Sequence, residues 1–343
     1  MKLRDFKEVK QLLASPKKIV LVPHRNPDGD AIGASLAMYH YLNNKGHKVT
    51  VVAPNDYPNF LKWMPGSKDV LKFDMQNRQA KNAIDEASII FLLDFNALHR
   101  VGSDMENTLK DFIGNFIMID HHQQPDDIAK YLFSDTSICS TCQMVYHFLE
   151  KLDEVTAIDN EIATCLYTGI MTDTGSFRFA STTSVTHRII ADLIDNGANN
   201  ASIHNHVYDT NSYGRLQLLG CALSNLIVIH KLKTAYITLT QKELDEFNYQ
   251  KGDTEGVVNY ALSVENVIFA AIFIEDVEQK IVKISLRSKG SFSVNEFARN
   301  HFNGGGHDNA AGGRSEVSLD ATVSKFLKIL PGYKTELLNS YEA

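Results

Sequence analysis

Apolar runs and amphipathic stretches alternate through the first half of the chain. Residues 18–23 (KIVLVP) form a continuous apolar run that predicts a buried strand. Residues 31–44, where Ile32, Leu36, Met38, Tyr39 and Leu42 recur on shared faces, predict a helix. Further strands are predicted at 47–53, 88–94 (SIIFLLD) and 115–120 (NFIMID), with a helix at 104–113 between the last two. Unbroken Ile, Leu, Val and Phe runs suit strands covered on both faces, as in a parallel sheet. Several such βα units in series predict an α/β fold whose N-terminal part is a doubly wound parallel sheet.

From residue 160 the pattern turns helical, over 161–172, 184–196, 203–206 and 213–230, with no strong strand among them. Alternating strands are predicted at 234–240, 267–275 and 281–288. A helix at 294–301, a glycine-dense loop at 303–313 and a last helix at 320–330 follow. The organisation expected is an α/β domain over 1–190, a helical connector over 191–230 and a smaller C-terminal α+β domain over 231–343.

In an open parallel sheet, ligands bind beyond the carboxyl ends of the strands. Here the residues that follow the apolar runs are acidic or histidine each time. The first strand leads into HRNPDGD, with His24, Asp28 and Asp30; 88–94 ends on Asp94; 115–120 ends on Asp120, with His121 and His122 next. Asp173 follows the apolar helix 161–172 in TDTGSF. Taken singly, Asp28 or Asp30 reads as a helix N-cap and Asp94 as a turn residue. Taken together, five aspartates and three histidines would repel one another or stay uncharged unless cations were present.

Carboxylate oxygens mixed with imidazole nitrogens suit first-row divalent ions better than Ca²⁺ or Mg²⁺. The donors outnumber what one ion takes. Two such ions, from among Mn²⁺, Co²⁺, Fe²⁺ and Zn²⁺, with Mn²⁺ the one expected, would absorb them, and such pairs serve in-line displacement at phosphorus. The reaction class indicated is phosphoester or phosphoanhydride hydrolysis. The rival reading of Asp173-Thr174-Gly175 as the D-T-G of an aspartic protease fails, because that chemistry needs two such carboxylates and only one D-T-G occurs.

The C-terminal half offers Gly304-Gly305-Gly306-His307, then Ala310-Ala311-Gly312-Gly313. This is neither a Walker A loop nor a matched G-x-G-x-x-G. It reads equally as a plain turn or as a nest of backbone N–H groups for a phosphate, with His307 as donor or stacking ring. Arg287, at the end of the strand 281–288, is a candidate phosphate fork or an ordinary solvated side chain.

Charge and composition narrow the substrate. Of 343 residues, 34 are Lys or Arg and 41 Asp or Glu, a formal net charge of −7, which argues against a broad basic groove for long nucleic acid. Short anionic substrates remain open. With 44% hydrophobic and 22% charged residues the chain reads as globular. No apolar run reaches membrane-spanning length, and the N-terminus lacks a signal-peptide h-region. Four scattered cysteines fit a reducing compartment, and a cytoplasmic location is expected. Cys139 and Cys142 form a C-x-x-C without a second pair at zinc spacing, and Cys142 opens the apolar stretch Met144, Val145, Phe148, Leu149 and Leu152, so both read as buried helix-start residues.

Through HRNPDGDAIGAS, LLDFNALHRVG, IDHH, TDTGSFRF, and LRSKG with NGGGHDNAAGG, the chain resembles the DHH-family phosphoesterases that carry a DHH-associated C-terminal domain. Within them it is similar to the nanoRNase and pAp phosphatase branch. The resemblance implies that His24, Asp28 and Asp94 hold one ion, and Asp30, Asp94, His121 and Asp173 the other, with Asp94 bridging. It implies that Asp120 orients an imidazole and that His122 is the acid or orienting group at the scissile phosphate. Arg100 matches the family's Arg-x-Gly position. Arg287, Ser288, Gly304, Gly305, Gly306 and His307 would grip the distal phosphate and base. Asn303 stands where relatives often have a further glycine, and Gln123, Gln124 and Pro125 after the DHH depart from some branches.

The function implied is exonucleolytic hydrolysis of short RNA oligonucleotides such as pApA, and of pAp, by a two-metal activated water. A homodimer is compatible with it, and the C-terminal domain would act as a ruler for substrate length. The alternatives are a phosphodiesterase for linear or cyclic dinucleotides, an exopolyphosphatase or pyrophosphatase, and an inactive nucleotide-binding protein.

Overall fold

The computed structural model describes residues 3–340. Its backbone contacts divide the chain into two compact units, Met1–Thr210 and Asn211–Ala343. The division falls inside the stretch 191–230, whose helices are shared between the two units.

The first unit runs α1 (Leu3–Leu12), β1 (Lys18–Pro23), α2 (Gly29–Asn44), β2 (Lys48–Ala53), β3 (Leu71–Lys72), α3 (Asn77–Glu86), β4 (Ile89–Leu93), α4 (Ser103–Lys110), β5 (Asn115–Asp120), β6 (Tyr131–Ser134), α5 (Thr141–Lys151), α6 (Asn160–Asp173), α7 (Ser184–Asp195) and α8 (Asn200–His204). Its six strands are all parallel, in the order β3-β2-β1-β4-β5-β6. This is the doubly wound sheet that the apolar runs predict. The register puts Leu21 beside Phe91 and Phe91 beside Ile117. Alternate residues then serve opposite faces. Ile19, Leu21, Phe91, Leu93, Ile117 and Ile119 pack with α2, α5 and α6 residues, whereas Val20, Val22, Ile90, Leu92 and Met118 pack with α3 and α4 residues. Strand order reverses between β1 and β4, so their carboxyl ends flank the crevice where such sheets bind ligands.

Helix α2 is buried on nearly every side. Glycine makes that possible where α2 meets α6, since a Cβ on Gly33 would sit 2.7 Å from the Cys165 carbonyl oxygen.

The second unit comprises α9 (Tyr213–Ser224), β7 (Ile227–Ile229), β8 (Thr234–Leu239), α10 (Gln241–Glu246), α11 (Val257–Leu262), β9 (Phe269–Asp276), β10 (Ile281–Ser288), α12 (Val294–His301), β11 (Gly305–His307), β12 (Ala310–Ser315), α13 (Leu319–Ile329) and α14 (Lys334–Asn339). Its sheet has the order β11-β12-β10-β9-β8-β7, with only β8 and β9 parallel. Phe269, Phe273 and Leu286 face α12 and α13; Ala270, Ile272 and Ile237 face α9 and α11.

Two local expectations are corrected. The helix predicted over 213–230 ends at Ser224, and Ile227–Ile229 pairs with β8 as an edge strand. Asn225, its C-cap, turns the chain by donating its side-chain amide to the Thr238 carbonyl at 2.9 Å. The glycine-dense segment 303–313 is not an open loop but mostly a hairpin, with Gly305 opposite Gly312 and His307 opposite Ala310. Glycines pair their backbones here without side-chain alternation, so the pattern hides the strands.

Candidate metal centre

Strand ends of the first unit deliver the acidic and histidine residues to one place. His24 follows β1, Asp28 and Asp30 open α2, Asp94 follows β4, Asp120 closes β5 with His121 and His122 behind it, and Asp173 ends α6. Asp94 has φ of +66°, a left-handed backbone that a non-glycine residue adopts at a cost. Its N–H is held by the Ile119 carbonyl at 3.1 Å.

Three donor groups include Asp94: one with Asp120 and His122, and two with the other strand-end carboxylates and histidines. His24, Asp28 and Asp94 each bring a ligand atom within 4.8 Å of the others, and so do Asp30, Asp94 and His121. His24 Nε2 lies 3.8 Å from Asp28 Oδ2 and 3.4 Å from Asp94 Oδ2. His121 Nε2 lies 3.8 Å from Asp30 Oδ2, 3.6 Å from Asp94 Oδ1 and 3.5 Å from Asp173 Oδ2. The two oxygens of Asp94 thus serve different groups. Asp28 also caps α2, its Oδ1 accepting from the Asp30 and Ala31 N–H groups at 3.1 Å, so the capping reading holds while Oδ2 stays on the His24 side.

Imidazole orientation tests the fit to a cation. His24 Nδ1 is 2.9 Å from the Arg25 carbonyl, and His121 Nδ1 is 3.1 Å from the Ile138 carbonyl. A carbonyl only accepts, so each Nδ1 carries a proton and each ring turns its Nε2 toward carboxylates, where that nitrogen either carries a second proton or offers a lone pair to a cation. Lone pair against carboxylate is unfavourable unless a proton or a metal ion lies between. Buried carboxylates show the same deficit of positive charge. Burial, then the charges of Asp94 and Asp173, pushes the Asp30 carboxyl well above its usual range. Burial, with Asp28 and Asp94 reinforcing it and His121 opposing it, raises Asp173 to about 7. Burial disfavours a charged His121, yet Asp173, Asp94, Asp30 and Asp120 raise it to about 9. For His24, burial is outweighed by the Asp94 hydrogen bond and the charge of Asp28, so its value is raised. Asp94 is held low despite burial, by the His24 hydrogen bond and the neighbouring histidines. The donor set fits divalent cations.

Asp120 and His122 make up the third group, with His122 Nδ1 3.7 Å from Asp94 Oδ1. Asp120 Oδ1 lies 2.7 Å from His122 Nδ1, while Oδ2 accepts from the His122 backbone N–H at 3.1 Å. Arg100 is half-buried after β4; its carbonyl accepts from the Arg25 N–H at 2.8 Å, and its charge acts on His24.

Sequence reasoning missed the start of α5. The Thr141 and Cys142 N–H groups donate to Asp30 at 2.6 and 2.8 Å, and the Thr141 hydroxyl donates to Asp94 Oδ1 at 2.8 Å. The only signal was the S-T-C run at a helix start. All four cysteines are unpaired, and Cys139 and Cys142 are buried, as read from their setting.

In the second unit, Arg287 Nη1 donates to the Leu286 carbonyl at 2.9 Å. Ser288 is buried, donates to the Phe292 carbonyl at 2.6 Å and accepts from the Asn309 amide at 2.9 Å, so its hydroxyl braces the turn. The Gly306 N–H is held by the Asn295 side chain at 3.0 Å. Gly304 precedes the hairpin, and Gly305, Gly306 and His307 make up β11. Asn303 takes φ of +47°, a conformation asparagine tolerates where glycine is usual.

Comparison with known proteins gives the family. The DHH family, N-terminal domain, matches residues 18–170, and the DHHA1 domain matches 231–331. A bifunctional oligoribonuclease and PAP phosphatase NrnA of Thermus thermophilus is 32% identical over 330 residues, covering 95% of this chain and 93% of the relative. The crystal structure of an exopolyphosphatase-related protein from Bacteroides fragilis superposes with a TM-score of 0.93 at 41% identity, covering 98% of each chain. RecJ from Thermus thermophilus, crystallised with Mn²⁺, shares the fold at a TM-score of 0.58 and 14% identity, covering 98% of this chain and 55% of RecJ. The chain belongs to the DHH family of phosphoesterases, with a DHHA1 domain following its DHH domain.

Proposed function

We propose that the protein removes nucleotides from short oligoribonucleotides and dephosphorylates pAp, using two divalent ions, with Mn²⁺ the ion of choice. The observation that carries this reading is the Asp94 carboxylate shared between two donor groups at the sheet's switch point. The identity over nearly full length with an oligoribonuclease and PAP phosphatase directs it to short RNA and pAp. His24, Asp28 and Asp94 hold the first ion, and Asp30, Asp94, His121 and Asp173 the second. When bound, the ions stabilise charge on the phosphoryl oxygens and activate a water for in-line attack.

The chain's own groups do the rest. Asp120 takes the Nδ1 proton of His122 in a hydrogen bond and fixes the tautomer, so any proton His122 gives to the leaving oxygen leaves from Nε2. Arg100, whose charge reaches His24, supplies a cation for substrate phosphate on the β4 side. Arg287 and the Gly304–His307 segment supply the nucleotide-binding groups of the second unit, with His307 as the base-stacking or donating ring. A cytoplasmic location fits this reading, and a homodimer is compatible with it. Among the described residues no helix is long and apolar enough to cross a membrane.

A panel of pAp, pApA, five-nucleotide RNA, cyclic di-AMP and pyrophosphate, assayed with Mn²⁺, tests the reading. Turnover of pApA and pAp is expected. Turnover confined to pyrophosphate would overturn it.

A further inference from the structure

Asp94 can serve two donor groups only if its carboxylate does not rotate. Oδ2 faces His24 at 3.4 Å and Oδ1 faces His121 at 3.6 Å. A turn about the Cβ–Cγ bond would withdraw both oxygens at once. The histidines hold it only loosely, since their contacts are 3.4 and 3.6 Å long. One short hydrogen bond does reach the carboxylate from outside the donor groups: the Thr141 hydroxyl donates to Oδ1 at 2.8 Å. Ionised carboxylates only accept, so the hydroxyl proton points at Asp94.

We infer that Thr141 is a positioning residue for both donor groups, setting the Asp94 carboxylate through its hydroxyl and the Asp30 carboxylate through its backbone. This rests on the metal-dependent reading above and adds to it a residue outside the ligand set. Thr141 is fully buried, 47 residues from Asp94 and 111 from Asp30 in sequence. Its N–H and that of Cys142 each take one oxygen of Asp30, at 2.6 and 2.8 Å, so this carboxylate is also fixed in rotation. Tight packing brings the two N–H groups that close. A Cβ on Gly169 of α6 would collide with Cys142 Sγ and stand 3.0 Å from Asp30 Oδ1, so the glycine leaves room for Cys142 and Asp30 to meet. Cys142 is thereby a compact side chain at a three-helix junction, not a reactive thiol; burial pushes its pKa well up.

A purely structural role for Thr141 would affect folding but not the affinity of a folded protein for metal. Groups that orient metal ligands typically change affinity by roughly 10–100-fold when removed. The test is calorimetric Mn²⁺ binding to full-length Thr141→Val, Thr141→Ala and Thr141→Ser, with melting in EDTA and circular dichroism as folding controls, and kcat and KM for pApA alongside. The expected result is about tenfold or greater loss of Mn²⁺ affinity in Val and Ala, recovery to within about threefold in Ser, and a fall in kcat with little change in KM. Wild-type affinity in a folded Val or Ala variant would overturn the inference. So would a Ser variant as weak as Ala, which would assign the role to the methyl group. If Val does not fold, the comparison of Ala with Ser decides. Failure of the wild type itself to bind Mn²⁺ would strike the metal-dependent reading instead.

Discussion

Asp120 grips His122 twice, at the ring Nδ1 and at the backbone N–H, through its two carboxylate oxygens. The strand residue thereby fixes both the tautomer and the attitude of the ring beyond it. Asp120→Asn offers an amide N–H in place of one acceptor and inverts that preference. The expected outcome is a fall in kcat of roughly 10²–10⁴-fold, with Mn²⁺ affinity near wild type in calorimetry. A parallel loss of metal affinity would show that Asp120 also serves metal binding, directly or by orienting a ligand.

Asp28 carries two duties that substitution can separate. Asn caps helices about as well as Asp, whereas Ala loses about 1 kcal/mol. Asp28→Asn is expected to retain stability in EDTA and lose Mn²⁺ affinity; Asp28→Ala loses both. Denaturant melts with and without Mn²⁺ measure the difference.

Metal removal is expected to lower stability, because the buried carboxylates then face one another. A ligand at 100 times its Kd stabilises by about 2.7 kcal/mol per site. Mn²⁺ should therefore raise the melting temperature of wild type by several degrees. Asp94→Asn, which removes the charge shared by both groups, is expected to lose most of that rise and all measurable hydrolysis of pApA. Full activity in Asp94→Asn would sink the mechanism.

Gly169→Ala adds one methyl group against Cys142 and Asp30. Overpacking of this kind typically costs about 1–3 kcal/mol. Because the displaced atoms include a proposed ligand, Mn²⁺ affinity should fall along with stability, although residue 169 offers no ligand atom. Unchanged calorimetric affinity would show that the α2–α5–α6 junction absorbs the methyl elsewhere.

His47, at the turn into β2, supplies a pH dependence remote from the site. Its Nδ1 accepts from the Lys17 N–H at 3.2 Å, and burial together with the Lys17 charge lowers its pKa from 6.5. A depressed base favours the folded state in its neutral form. Its stabilisation is present above pH about 6.5 and lost as pH falls through the folded value. Comparing denaturation of wild type and His47→Asn from pH 8 to 5, the variant should lose less stability on acidification.

Much of the fold was legible because parallel strands advertise themselves. Runs such as KIVLVP and SIIFLLD are apolar on both faces, and the first polar residues after them mark the crevice. His24, Asp94, Asp120, His121 and His122 could be named on that ground alone. The strands Leu71–Lys72 and Tyr131–Ser134 were not legible, being short edge elements with little apolar run. The hairpin of Gly305–His307 with Ala310–Ser315 was hidden because backbone pairing, not side-chain alternation, forms it. Thr141 lay beyond any local pattern, since a hydrogen bond to Asp94 across 47 residues leaves no periodicity.

Hydrophobic period and strand polarity are local properties, so residue order alone yields the doubly wound architecture and the kinds of atom that gather at its strand ends. Packing in three dimensions is what sets which oxygen of Asp94 faces which histidine, which imidazole nitrogen faces the carboxylates, and that the start of α5 holds two carboxylates in place. Those depend on helix packing at ångström range, where Gly33 and Gly169 set the distance between α2 and α6, and no spacing along the chain encodes such a distance.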